Sequence, residues 1–330
     1  MRLYPFLVLL LLLVFISPSS SLAKSIEPDH AYINVPVANV WVKPTLRKVD
    51  QPSAAKDANV QKWIKSLSYK DKLALVGKLD TQALVGTKVI IQERKGNWTR
   101  VLIPSQPTPR SKKGYSGWIP SKQLAKTKHY ENQLHKPFAL ITAKTAYLYN
   151  DEQLRKQSKE LSFNTRLPIL KYSNGHALVI MPDGTSKWLK KNSFTTFKNK
   201  KAIPVPSGID IVNTGKQFLN LPYLWGGMSG FGFDCSGFTY TMHEIHGITI
   251  PRDSSAQAKN GKAVKKKDLK PGDLLFFARN NGKGQVHHVA IYMGSGKMIH
   301  SPNTASTIRI DSISLRAYSK EYAGARRYVK

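Results

Sequence analysis

The rhythm of apolar and polar positions changes along this 330-residue chain, and each change predicts a different kind of element. Residues 6–16 form an unbroken apolar run. Arg2 precedes it and Ser21-Leu22-Ala23 follows. The run is too short to span a bilayer, and its flanks have the charge and small-x-small site of a secretory signal, predicted over residues 1–23. An uncleaved anchor is the alternative reading; no cysteine follows the run that could carry a lipid. Over residues 24–130 the pattern is mostly that of strands, at 35–42, 88–93 and 98–103, with Gly117-Trp118-Ile119-Pro120 after a proline-rich loop. Val60, Ile64 and Leu67 instead recur at helical spacing, which predicts a helical insertion over 57–75. Short strands between glycine turns predict a small barrel.

Residues 137–197 repeat this pattern weakly. Gly175 to Pro182 followed by Lys187-Trp188-Leu189 echoes Gly96 to Pro104 followed by Gly117-Trp118-Ile119, so a second barrel of the same type is expected. The basic stretch 198–207 carries Pro204 and Pro206 and reads as a linker. From residue 208 onward a helix around 209–219 comes first. A glycine-rich loop and a second helix follow, then strands at 273–278, 285–293 and 297–301. Helices before an antiparallel sheet predict an α+β domain.

Composition narrows the setting. Fifty-one Lys and Arg against 20 Asp and Glu give a formal net charge of +31, spread along the whole chain. No dense basic block with interleaved aromatics marks a nucleic-acid groove, so no nucleic-acid partner is expected. A strongly basic exported protein is expected to meet a polyanionic surface, such as a cell wall carrying phosphate polymers. No segment after the signal is long and apolar enough to be an integral membrane span.

Cys235 is the only cysteine. It cannot form an internal disulfide or join a multi-cysteine metal site, which leaves an intermolecular link or a reactive thiol. Asp234 is a good N-cap residue, and Phe238, Met242 and Ile245 then share one helix face, so Cys235 is placed in a first helical turn. The unpaired N–H groups and dipole there predict a lowered thiol pKa. In Val286-His287-His288-Val289-Ala290-Ile291-Tyr292-Met293, strand alternation puts Val289, Ile291 and Met293 on the core face. His288 falls on the opposite face, and His287 on the core side at the strand's frayed start. His288 is therefore the expected base. A three-residue loop at Gly294-Ser295-Gly296 would set His300 across from Ala290, on the His288 face, where it could orient the base. A two-residue loop would turn it away. His243 and His246 flank Glu244 without the His-Glu-x-x-His spacing and read as solvated helix residues. No metal or organic cofactor is expected.

Asp234-Cys235-Ser236-Gly237-Phe238, His288-Val289-Ala290-Ile291-Tyr292, Ile299-His300 and Lys270-Pro271-Gly272-Asp273-Leu274 together resemble the NlpC family of papain-like cell-wall cysteine peptidases, over roughly residues 208–330. Two bacterial SH3-like domains before such a domain resemble the layout of the Bacillus-type γ-D-glutamyl-L-diamino acid endopeptidases. Leu79-Asp80-Thr81-Gln82-Ala83-Leu84 and Gly114-Tyr115-Ser116-Gly117-Trp118 fit their first barrel. The resemblance implies two SH3-like barrels followed by a papain-like catalytic domain, with peptidoglycan peptides as substrate. It implies that Tyr115 closes the cleft beyond an N-terminal L-alanine and that Asp80, often glutamate in relatives, helps hold the free ammonium. It also implies that Tyr223, Asp234, Ser236, Asp253 and Ser254 line the cleft. Asp253 has a second reading as a helix cap in Arg252-Asp253-Ser254-Ser255. Amidase or acyltransferase chemistry on the same scaffold and an idle wall-binding protein are the rival functions. Diaminopimelate and lysine both remain open as the diamino acid.

Overall fold

The computed structural model describes residues 28–329, so the segment predicted as a signal, 1–23, lies outside the described residues. Seven strands, β1 (His30–Ile33), β2 (Val37–Trp41), β3 (Leu79–Leu84), β4 (Lys88–Lys95), β5 (Trp98–Ile103), β6 (Tyr115–Pro120) and β7 (Leu124–Ala125), form the first sheet. Their order is β3-β2-β6-β5-β4-β1-β7. The end strands do not pair with each other, so the sheet is open where a closed barrel was expected. The strand expected over 35–42 starts only after Pro36, which lacks the N–H a ladder needs. Strand β3 had no apolar alternation to announce it. Its Thr81 and Gln82 are fully buried polar residues.

The expected helical insertion is two short helices, α1 (Val60–Ser66) and α2 (Tyr69–Leu73). Asn59 caps the first by accepting from the Lys62 N–H. Ser68 and Asp71 form a capping box that starts the second, and Leu67 between them is extended. Val60, Ile64 and Leu67 are buried together with Trp41, Trp63 and Trp118, and also with Leu224 and Phe231 from the last third of the chain. The insertion thus shares a core with the domain that follows.

A short helix α3 (Lys128–Glu131) leads to the second sheet: β8 (Phe138–Ile141), β9 (Thr145–Tyr149), β10 (Gln157–Ser162), β11 (Arg166–Ser173), β12 (His176–Ile180), β13 (Ser186–Leu189) and β14 (Phe194–Phe197). Its order, β10-β9-β13-β12-β11-β8-β14, repeats that of the first sheet with each strand moved on by seven. The faint sequence echo is therefore a full topological repeat.

Helix α4 (Gly208–Lys216) opens the last domain on a Ser207–Asp210 capping box. It ends three residues before the expected 219. The short pair β15 (Met228–Ser229) and β16 (Gly232–Phe233) precedes α5 (Cys235–Glu244) and α6 (Ser254–Gln257). The third sheet contains β17 (Lys262–Val264), β18 (Leu274–Ala278), β19 (Val286–Gly294), β20 (Lys297–His300), β21 (Arg309–Ser312) and β22 (Tyr322–Arg327), in the order β17-β22-β18-β19-β20-β21. Helix α7 (Arg316–Ser319) lies between the last two strands. Phe238, Met242 and Ile245 of the α5 segment pack against Val289, Ile291 and Ile299 of the sheet. Ile203, from the stretch read as a linker, enters this core, and Lys200 pairs with Glu244. Among the described residues no helix is long and apolar enough to cross a membrane.

His243 and His246 are not the solvated residues expected. His243 is fully buried, with Nδ1 bonded to the Thr239 carbonyl at 2.7 Å, and His246 Nε2 meets Thr214 Oγ1 at 2.9 Å. Burial pushes the His243 imidazole down to about 4. Unfolding returns it to an ordinary imidazole, so between about pH 6.5 and 4 the unfolded chain binds the extra proton. This group's share of stability is complete above that window and declines as pH falls through it. Melting temperatures across the window should show a shallower decline in His243→Phe than in the wild type; equal slopes would assign the acid lability elsewhere.

Candidate active site

Cys235 is the first residue of α5, as the capping signal predicted. Asp234 has extended geometry (φ −85°, ψ 179°), and its Oδ1 accepts from the Gly237 N–H at 2.6 Å. A side chain at 237 would clash, because a Cβ there would lie 2.0 Å from the Gly227 carbonyl oxygen. Helix start and glycine loop thus need each other to hold the thiol in place.

The Asp234 carboxylate has a second partner that sequence reasoning missed. Arg252, 1% exposed, donates Nη2 to Asp234 Oδ2 at 2.6 Å and Nη1 to Asp234 Oδ1 at 3.1 Å. The same Nη1 reaches Ser236 Oγ at 2.9 Å, and Nε reaches Thr81 Oγ1 of the first sheet at 2.8 Å. Thr81 donates on to Gln106, and Gln82 Oε1 accepts from the Met228 N–H and Ser229 hydroxyl, each at 3.0 Å. Trp225 Nε1 donates to the Leu79 carbonyl at 2.9 Å. The first sheet is therefore docked beside the cysteine by buried polar bonds. No periodicity marks an arginine that points inward, since most arginines are exposed.

Across from α5, β18 and β19 pair with a bulge: Phe277 faces His288 and Ala278 faces Val286, leaving His287 unpaired between them. The bulge overturns the expected core placement of His287. Its side chain is exposed and meets Glu321 Oε2 at 2.9 Å. His288 is buried, 6% exposed, with the Phe277 ring tilted against it and the Tyr318 ring stacked on it.

The β19–β20 connection also differs in detail. Ser295 and Gly296 have φ of 49° and 67°, a two-residue turn, not the three-residue loop expected. A second bulge between Tyr292 and Gly294 compensates, and Ile291 faces Ile299. Continued by one pair, this register sets His300 opposite Ala290, on the His288 face as predicted. His288 Nε2 and His300 Nδ1 are 2.8 Å apart, and His300 Nε2 lies 3.0 Å from Asp311 Oδ2. Asp311 was also missed; its strand is short and polar. Its carboxylate can only accept, so His300 carries the proton on Nε2 and accepts on Nδ1. His288 then donates from Nε2, which leaves its Nδ1 lone pair free.

Electrostatics correct the expectation of a lowered thiol pKa. Burial, assisted by the Asp234 charge, pushes Cys235 up to about 12 against the opposing backbone N–H groups of Val289 and Ser236. Burial and the neighbouring His300 push His288 well down, and burial takes His300 down to about 4. Asp311 stays below the usual carboxylate range despite burial, because Arg309, His300 and Tyr318 donate to it. Both shifts at the centre favour a neutral thiol beside a neutral imidazole.

Cys235 and His288 line a cleft of about 730 Å³. Tyr115 and Asp80 of the first sheet line it together with Tyr223, Asp234, Ser236, Asp253 and Ser254, so the structure brings every predicted site residue except the buried His300 to its wall. Asp253 precedes α6 but makes no side-chain cap bond; its Oδ1 accepts from the Tyr115 hydroxyl at 3.3 Å instead. Burial, with Asp253 adding, raises the Asp80 pKa against the pull of Arg110. Two carboxylates and a phenol are thus gathered at one end of the cleft. Asp234 and Ser236 are committed to Arg252.

Residues 220–327 match the NlpC/P60 family, and residues 141–197 match the YKFC SH3b2 domain. A gamma-D-glutamyl-L-lysine dipeptidyl-peptidase of Bacillus cereus is 47% identical over 321 residues, 96% of each chain. The chain belongs to the NlpC/P60 family. A Bacillus subtilis protein of the same name is 40% identical over 301 residues, covering 90% of this chain and 98% of its own. A crystal structure of an NlpC/P60 family protein from Bacillus cereus superposes with a TM-score of 0.88 at 48% identity, covering 92% of this chain and all of that one. The NlpC/P60 fold here thus comes with its two SH3-like sheets in place.

Two measurements probe this arrangement. Arg252→Met leaves Asp234 buried without its cation and should cost about 3–5 kcal/mol, whereas Thr81→Val, which removes the bonds to Arg252 and Gln106 but keeps the ion pair, should cost less, about 2 kcal/mol. Denaturant midpoints compare the two, and equal small losses would deny Arg252 its central place. For the thiol, the ultraviolet difference between wild type and Cys235→Ser should show no thiolate absorbance at neutral pH. A strong signal there would mean a resting ion pair.

Proposed function

We propose that this protein is an exported cysteine endopeptidase that hydrolyses the γ-D-glutamyl to L-diamino acid bond of peptidoglycan stem peptides, with a preference for peptides bearing a free N-terminal L-alanine. The observation that carries the reading is that Cys235 and His288, the latter backed by His300 and Asp311, line a cleft whose one end gathers Tyr115, Asp80 and Asp253. The names of the two Bacillus relatives point to the same bond. The apolar run at 6–16 supports export, and the charge of +31 supports retention by anionic wall polymers.

Cys235 Sγ gives its proton to the free Nδ1 of His288 and attacks the γ-carbonyl carbon of D-glutamate. Backbone N–H groups at the start of α5, that of Cys235 among them, stabilise the oxyanion. The C–N bond breaks as His288 returns the proton to the departing α-amine. Water, deprotonated by His288, then hydrolyses the thioester and restores the thiol. The proton moves between two neutral groups, and the charge pair exists only while substrate is reacting. His300, held by Asp311, keeps the His288 ring in the required tautomer.

At the other end, a free L-alanine ammonium meets Asp80 and Asp253 while Tyr115 closes the cleft behind it. A peptide still joined to sugar has no such charge and extends past alanine into Tyr115. Leaving a half-buried acid without its ammonium costs on the order of 1–3 kcal/mol, about a ten- to hundredfold loss in kcat/KM.

Cys235→Ala and His288→Ala should both abolish turnover while remaining folded, and His300→Ala should keep a residue of activity. His287→Ala, exposed and outside this group, should still turn over. A dead His287 variant with an active His288 variant would reverse the assignment. Free tripeptide should be cleaved about ten- to a hundredfold better than its N-acetylated form, and Tyr115→Ala should narrow that gap. Equal kcat/KM for the two peptides would remove the capping role.

A further inference from the structure

The cleft extends past His288 to a wall that the reaction above leaves without a task. Arg279, Gln285, His287 and Glu321 line it. They come together because β22, β18 and β19 are adjacent in the sheet: Phe277 faces both His288 and Tyr322, and the Ala278 N–H bonds the Glu321 carbonyl at 2.8 Å. This wall stands at the strand ends, on elements distinct from the first-sheet residues that hold the other end of the cleft. The bulge that turns His287 out of the core sets its Nε2 2.9 Å from Glu321 Oε2. Arg279 is exposed at the cleft, and among the described residues its guanidinium makes no ion pair.

We infer that this wall reads the side chain of the diamino acid: Glu321, positioned by His287, takes the terminal ammonium, and Arg279 takes a terminal carboxylate, so that diaminopimelate is preferred over lysine. The inference rests on the peptidase reading above. Once the first-sheet end holds L-alanine and Cys235 faces the γ-carbonyl, the leaving amino acid must occupy the remaining part of the cleft. Lysine brings one terminal ammonium there. Diaminopimelate brings an ammonium and a carboxylate on the same carbon. One acid and one uncommitted arginine lining the same part of the cleft complement that pair of charges, whereas lysine uses only the acid. Arginine suits the carboxylate because its planar fork can bind both oxygens at once.

The test compares kcat/KM of the full-length protein on three peptides, L-Ala-γ-D-Glu followed by meso-diaminopimelate, L-lysine or L-norleucine. Norleucine has no terminal charge. The expected order is diaminopimelate, lysine, norleucine, each step roughly tenfold. Glu321→Gln should bring lysine down toward norleucine. Arg279→Gln should collapse the diaminopimelate-to-lysine ratio, and Arg279→Lys should restore part of it. His287→Gln should raise KM for both charged peptides more than it lowers kcat, which a purely structural role would not do. A wild type that cleaves all three peptides equally overturns the inference and leaves the peptidase reading standing. So does an Arg279→Gln variant that loses the same factor on every peptide, since Arg279 would then hold the D-glutamyl carboxylate common to all. A wild type inert toward all three overturns the peptidase reading itself.

Discussion

Arg252 is a buried cation, and the start of α5 and the docking of the first sheet are arranged around what it needs. A guanidinium removed from water is costly unless its charge is matched and its N–H groups are met. Asp234 supplies the charge, Ser236 one acceptor and Thr81 another. The Asp234 carboxylate is at the same time the cap that starts α5 beneath Cys235. One interaction therefore sets the backbone at Cys235 and needs the first sheet present to be complete. The bonds that dock the first sheet are thus the same bonds that shape the site.

That coupling explains why the interface is polar. Gln82, Thr81 and Gln106 are all but fully buried, yet each finds partners in the first sheet or the last domain. Buried polar groups tolerate few alternative arrangements, because each misplacement leaves a donor or acceptor unmet. The first sheet is thereby fixed in one orientation, with Tyr115 and Asp80 on the cleft. On the far side Arg166 of the second sheet pairs with Glu244 at the end of α5, so both ends of the helix are held by accessory sheets. Desolvation around the sulfur and the imidazole favours their neutral forms, in opposition to the helix start, whose N–H groups favour a thiolate.

Much of this was legible in the sequence. A lone cysteine after a capping Asp, with Phe238, Met242 and Ile245 behind it, fixes a helix start, since capping and helical periodicity are local properties. Alternation in β19 identifies His288, because Val289 and Ile291 must face the core. The motif strings sufficed to place the chain among wall peptidases with two accessory sheets. Strand β3 was illegible because its inward residues are polar, and only the docked partner explains why Thr81 and Gln82 can be buried.

The sequence by itself determined which residues have the side-chain chemistry a peptidase would need and which elements hold them, because these follow from residue type and near-neighbour spacing. Tertiary structure alone decided the two bulges that expose His287 and return His300 to the His288 face, since a bulge answers to the partner strand. It alone brought Arg252 under Asp234, placed Asp311 behind His300 and gathered Asp80 with Asp253, pairs separated by up to 173 positions in the numbering. It also reversed the direction expected for the Cys235 pKa. A helix start favours the thiolate through a few nearby dipoles, but desolvation depends on everything packed around the sulfur, and here it is the larger effect.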